Sequence, residues 1–153
     1  MIIECTLDTK YFLDVCSKLT FKPDDEKEAK DILGFSSGSV LKVLKSAPNR
    51  WAEHYLIREP EKNKIVCVIT LDTSNNLHYF VTTDLKPSNS ISFVKTIKTL
   101  VEETVKYRHV VFVTTRLWYK EAIKFNRLIG FQLLKTNKGR DISHWFYSNK
   151  KGH

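Results

Sequence analysis

The sequence predicts a mixed α/β (α+β) fold: a twisted, mostly antiparallel sheet of about seven strands with helices on both faces. Three observations carry this. The middle holds three segments rich in β-branched and aromatic residues, "RWAEHYLIRE", "NKIVCVITLD" and "LHYFVTTDL", separated by the turn-formers "PEKN" and "TSNN". Helical periodicity dominates before that block, and after it the pattern alternates helix, strand, helix. Two further strand-like segments, "FQLLKT" and "ISHWFYS", close the chain around the turn "NKGR".

The order of elements is as follows. "MIIECTL" reads as a first strand. "DTKYFLDVCSKL" places Phe12, Val15, Cys16 and Leu19 on one helical face, with Asp8 or Thr9 positioned to cap it. "KPDDEKEAKDILG" has Pro23 at its entry, acids in its first turn and Gly34 at its exit, where helix-end electrostatics and backbone geometry favour each. "SGSVLKVLKS" adds a short helix through Val40, Leu41 and Leu44. The three strands follow as an antiparallel meander. "PSNSISFVKTIKTLVEETVKY" carries Ile91, Val94, Ile97, Val101 and Val105 at helical spacing, with Ser88 or Ser90 as its cap and Glu102 four residues before Lys106. "HVVFVTT" is a continuous apolar run of the kind that sits at a sheet centre with both faces covered. The last helix buries Ala122, Phe125, Leu128 and Ile129, and Gly130 ends it.

Composition bounds the function. With 153 residues, 42% of them hydrophobic and 12% aromatic, the chain can bury a core as one domain, and residues 1–153 show no linker, repeat or low-complexity segment. No apolar run approaches the roughly 18 residues of a membrane span, and "MIIECTLDTKYF" lacks the features of a signal peptide, so no membrane partner and a cytoplasmic location are expected. Cys5, Cys16 and Cys67 are odd in number and show no metal-ligand spacing, which predicts reduced thiols and no metal site. A net charge of +8 suits a polyanionic partner, whether nucleic acid, a phosphate-rich cofactor or an acidic protein surface. Aromatics interleave with basic residues in "RWAEHYLIR" and "KYRHVVFV", yet no nucleic-acid-binding motif is present, so nucleic acid is expected to associate only weakly and electrostatically. There is no GxSxG elbow for a serine nucleophile.

The order strand, helices, three strands, helix, strand, helix, two strands, together with "AIKFNRLIGF" from Ala122 to Phe131, resembles the GNAT N-acetyltransferase superfamily over essentially the whole chain. In that family the fourth strand runs into a loop and helix whose amides hold the pyrophosphate of acetyl-CoA. The resemblance implies acetyl-CoA or another acyl-CoA as cofactor and a primary amine as the second substrate. By the same likeness the cofactor contacts fall to Phe80, Val81 and Thr82, through main-chain bonds to the pantetheine arm, and to Lys86, Ser88, Asn89 and Ser90 at the phosphates. His78 is the candidate base, with Asp84 and His54 nearby in the pattern, and Tyr119 is the candidate proton donor.

The chain also departs from the family. The stretch from Val81 to Ser92 has no glycine, and Pro87 removes an amide donor. Tyr119 stands where the family commonly has Asn, and Asn126 where it commonly has the Tyr that protonates the leaving thiolate. An amide does not titrate in a useful range, so Asn126 cannot take that role. These departures resemble the divergent GNAT-like proteins encoded by bacteriophages. They leave a second reading open: a non-catalytic GNAT-fold phage or virion protein that acts through a protein partner.

Overall fold

The computed structural model describes residues 1–33, 40–46, 52–59 and 63–149. The helix exit expected at Gly34, Arg50 and Trp51 at the head of the second expected strand, residues 60–62 of the turn after it, and the basic tail after Asn149 lie outside them. The described elements are seven strands and five α-helices, and the sheet runs in the order β1-β2-β3-β4-β5-β7-β6. The chain groups into two compact units, Met1–Asn75 with Tyr79–Ser88, and Asn76–His78 with Asn89–His153.

In the first unit, β1 (Ile2–Thr6) pairs antiparallel with β2 (Glu53–Glu59), from Ile2 opposite Arg58 to Thr6 opposite His54. β2 pairs antiparallel with β3 (Lys64–Asp72), with a bulge at Ile57/Arg58. β4 (Leu77–Thr82) follows as the third strand of the meander. α1 (Thr9–Cys16) is capped by Asp8, whose carboxylate accepts from the Tyr11 amide at 3.0 Å, and it buries Phe12 and Cys16. α2 (Pro23–Leu33) opens on Pro23 with Asp24, Asp25 and Glu26 in its first turn, and α3 (Val40–Ser46) follows. Phe12, Phe21, Ala29, Val40 and Leu44 pack with Leu56 and Val68 of the sheet into one core.

In the second unit, α4 (Ser90–Arg108) leads to β5 (Val110–Arg116), α5 (Lys120–Ile129), β6 (Gln132–Asn137), a 3-10 turn at Lys138–Arg140 and β7 (Ile142–Ser148). β7 lies between β5 and β6 and is antiparallel to both. The first residue of β4, Leu77, pairs parallel with Phe112 of β5. Gly130 ends α5 at φ 111°, a left-handed conformation that glycine adopts without steric cost.

The element order matches the sequence reading, while several details differ. α4 is capped by Asn89, which accepts from the Ser92 amide at 3.0 Å, and not by Ser88 or Ser90. Its buried face centres on Phe93, Ile97, Leu100, Val101 and Val105, leaving Ile91 68% exposed, because the larger Phe93 turns inward to stack on Phe125 with centroids 5.8 Å apart. Lys106 pairs with Glu103 at 2.8 Å and not with Glu102. β5 is not covered on both faces: Val111, Val113 and Thr115 are buried and Thr114 is exposed. The strand buried along nearly its whole length is β3. In α5 the buried residues are Asn126 and Ile129, and Leu128 is exposed.

Candidate functional site

The end of β4 is fixed by α2. One oxygen of Asp25, Oδ2, accepts both the Thr82 amide, at 2.8 Å, and the Thr82 hydroxyl, at 2.6 Å. The Thr82 carbonyl accepts from the Lys22 amide, and Thr83 and Asp84 donate to Val66 and Thr20. Thr82 therefore has both main-chain groups engaged inside this unit. Asp25 and Glu28 are buried beside Tyr79 on β4, and burial, followed by the charges of Glu28, Asp25 and Glu26, pushes the Tyr79 phenol well above its ordinary range.

The loop after β4 is held by a second buried carboxylate. Glu59, at the end of β2, accepts from both the amide and the hydroxyl of Ser88, the latter at 2.8 Å, and lies 3.7 Å from the Lys64 ammonium. Lys64 in turn donates to the Lys86 carbonyl at 3.2 Å. The Ser88 donors expected at a phosphate are thus spent on an internal anion. The Lys86 side chain is exposed.

In the second unit, the side chain and carbonyl of Asn89 take the Ser92 and Phe93 amides. Among the described residues, the Ser90 and Ile91 amides at the start of α4 have no protein acceptor. Two amides at the positive end of a helix suit a phosphate-sized anion. Of the other amides expected there, that of Ser88 is taken by Glu59, and Pro87 has none.

His78 is buried, and desolvation lowers its pKa to about 3, so the ring is neutral across the physiological range. Tyr119 precedes α5, is buried, and stacks on Trp118 with centroids 5.2 Å apart and planes 8° from parallel. Asn126 donates to the Thr115 hydroxyl at 2.9 Å; Ser143 donates to the Thr115 carbonyl at 2.9 Å and accepts the Trp145 indole N–H at 2.8 Å. This buried polar line ties α5, β5 and β7 together and explains why Asn126, rather than Leu128, faces inward. His54 is a structural residue: its ring bridges the Thr9 and Thr70 hydroxyls at 2.9 and 3.0 Å and stacks on Phe12.

Sequence reasoning missed Asp25 and Glu59. Asp25 read as an ordinary helix-start acid and Glu59 as a strand-end charge, and no local pattern distinguishes a carboxylate that bonds a backbone amide across 57 or 29 residues of chain. All three cysteines are free; burial raises the Cys16 thiol to about 12 and the Cys67 thiol further, which makes both poor nucleophiles. Among the described residues no cluster of His, Cys, Asp and Glu could hold a metal ion, and no helix is long and apolar enough to cross a membrane.

No protein-family model matches the chain, and no curated protein matches its sequence. Solved structures do match. A GNAT-family acetyltransferase from Bacillus anthracis aligns over 97% of this chain and 95% of its own, with a TM-score of 0.63 and 10% identity. Aminoglycoside 6'-acetyltransferase type Ii aligns over 97% of both chains, with a TM-score of 0.61 and 14% identity. Spermidine N-acetyltransferase from Vibrio cholerae, solved with CoA and spermine, aligns over 97% and 96% with a TM-score of 0.56 and 7% identity. The fold is therefore that of the GNAT acetyltransferases, in a divergent sequence.

Proposed function

We propose that the protein is a divergent acyl-CoA-dependent N-acyltransferase that acylates a primary amine. The observation that carries this reading is the start of α4, where the Ser90 and Ile91 amides have no protein acceptor directly after β4, in a chain with the fold of acetyltransferases. An acyl-CoA, when bound, would supply an acyl group activated as a thioester. In this reading Ser90, with Lys86, holds a phosphate and Asn89 keeps the helix start in place. Phe80 and Val81 take the pantetheine arm by strand-like main-chain bonds, and Thr82 keeps that strand end in register through Asp25. Ser88 serves the loop's shape through Glu59. Tyr119 is the proton donor to the departing thiolate; burial holds His78 at a pKa of about 3, too weak a base to take the amine proton, which in this reading leaves through a chain of water.

A second reading has its own observation. The Ser88 donors are taken by Glu59, and Asn126 is locked to Thr115 where the family commonly carries a Tyr. Both features suit a non-catalytic GNAT-fold module, such as a phage protein, that binds a protein partner.

Calorimetry with acetyl-CoA at low and physiological salt, with desulfo-CoA and ATP as controls, separates the two. Salt-resistant binding that prefers acetyl-CoA over ATP, lost in Lys86→Ala, supports the enzyme, and release of free CoA with a panel of primary amines then defines the acceptor. Binding that fades with salt and does not distinguish ATP is the nonspecific attraction of a basic protein, and it overturns the acyltransferase reading.

A further inference from the structure

The second unit contains a half-open cavity of about 540 Å³ against the later part of α4, within the range of small-ligand sites. Its floor is apolar, formed by Val105, Phe146 and Tyr147, and its rim carries Lys98, Glu102 and Lys106. Gly130 keeps the floor in place: a Cβ there would stand 3.0 Å from the Tyr147 ring. Lys98 lies eight residues into the helix from Ser90, about 12 Å along its axis, so this cavity is distinct from the α4 N-terminus.

Lys98 and Glu102 are one helical turn apart, yet among the described residues they form no ion pair with each other. Lys before Glu at this spacing is the less favourable order on a helix. Lys106 turns to Glu103 at 2.8 Å, and Glu102 lies against the Tyr147 phenol, whose pKa burial and then this carboxylate raise, so among the described residues its negative charge stays at the cavity without a bonded cation. Opposite charges are therefore presented to one apolar-floored space. A purely anionic ligand would meet Glu102, and a purely cationic one would meet Lys98. An uncharged apolar ligand would desolvate both without replacing their water. A small dipolar ion with an apolar body satisfies all three surfaces at once.

We propose that this cavity binds a free amino acid with an apolar or aromatic side chain. Its carboxylate lies at Lys98, its ammonium at Glu102, and its side chain on Phe146 and Tyr147. The proposal is independent of acyl transfer, because none of these residues belongs to the segment assigned to the acyl-CoA.

The test is calorimetry and thermal denaturation of the full chain with L-phenylalanine and L-leucine. The comparators are 3-phenylpropionate, which lacks the ammonium, 2-phenylethylamine, which lacks the carboxylate, and L-serine, which lacks the apolar body. Saturable binding of at least one apolar amino acid is expected, with each comparator at least tenfold weaker. Lys98→Met should abolish the preference for L-phenylalanine over 2-phenylethylamine, and Glu102→Gln the preference over 3-phenylpropionate. Both side chains are exposed, so the unliganded melting temperatures should stay at the wild-type value. Acetyl-CoA titrations of the same variants should match wild type, which keeps the two sites' outcomes apart. Failure of both amino acids to bind saturably, equal binding of the comparators, or indifference to both substitutions overturns the proposal.

Discussion

Replacing Asp25 by alanine tests how the end of β4 is held. Asp25 is 5% exposed, and one carboxylate oxygen, Oδ2, accepts the Thr82 amide at 2.8 Å and the Thr82 hydroxyl at 2.6 Å. Both bonds have a charged acceptor, and such bonds contribute about 1.5–3 kcal/mol each. The truncation also leaves the Thr82 amide without this acceptor, whereas the hydroxyl can rotate toward water. We expect Asp25→Ala to lose about 3 kcal/mol, and at 2–4 °C per kcal/mol for a chain of this size the melting temperature falls by about 6–12 °C. Asp25→Asn keeps an oxygen in place and should lose about half as much. Thr82→Val removes only the hydroxyl and should cost about 1 kcal/mol. In urea denaturation followed by circular dichroism, the midpoints should fall in that order with an unchanged slope. Because Asp25 and Thr82 touch, the double variant Asp25→Ala/Thr82→Val should lose about 1 kcal/mol less than the sum of the single losses. Strict additivity, or an Asp25→Ala variant within about 0.5 kcal/mol of wild type, would refute the claim that this carboxylate fixes the strand end.

Three more outcomes follow from named groups. Burial lowers the pKa of His78 to about 3 and that of His54 in the same direction, so near and below pH 6.5 the unfolded chain binds protons that the folded chain does not. Their stabilisation is complete above about pH 6.5 and is lost as pH falls, by up to ~1.4 kcal/mol per unit for each ring; a shallower slope in His78→Phe, from urea midpoints between pH 7 and 5, checks the share of His78. Gly130→Ala forces a side chain into a φ of 111° and 3.0 Å from Tyr147; it should cost about 2 kcal/mol by thermal denaturation, and a value near zero would show that the helix end relaxes freely. Asn126→Ala leaves the Thr115 hydroxyl without its donor and should cost about 1–3 kcal/mol, while Asn126→Leu, which fills the space, should not recover the loss.

The sequence disclosed element type and order because these depend on period, and period is local. The 3.6-residue spacing through Ile97, Val101 and Val105 and the β-branched runs of the meander each specify their own element. Which residue faces inward was less legible. In α4, Ile91 and Phe93 both fit an apolar stripe, and the choice fell to Phe93 because Phe125, thirty-two positions away, offers it a ring to stack on. In α5, apolarity pointed to Leu128, whereas a hydrogen bond to Thr115 turned Asn126 inward. Both decisions are made by partners remote in sequence, which periodicity does not encode.

The same reasoning sharpens the functional question. The loop after β4 lacks the glycines that the family resemblance leads one to expect, and Glu59 supplies a fixed anion that orders Ser88 from inside the protein. An ordered loop needs no ligand to hold its shape, and a buried carboxylate beside it disfavours a second anion at Ser88 through like-charge repulsion. If an acyl-CoA binds this chain, its charged end is expected at the Ser90 and Ile91 amides, where the dipole of α4 favours an anion, rather than at Ser88. Affinity would then depend on Lys86 and the helix start and would be weaker than in a glycine-rich cradle. The Glu59→Gln substitution separates the alternatives. It keeps an oxygen for the Ser88 amide while removing the charge, so it should tighten acetyl-CoA binding by several-fold if the carboxylate is the obstacle, and should leave it unchanged if the loop has no part in binding.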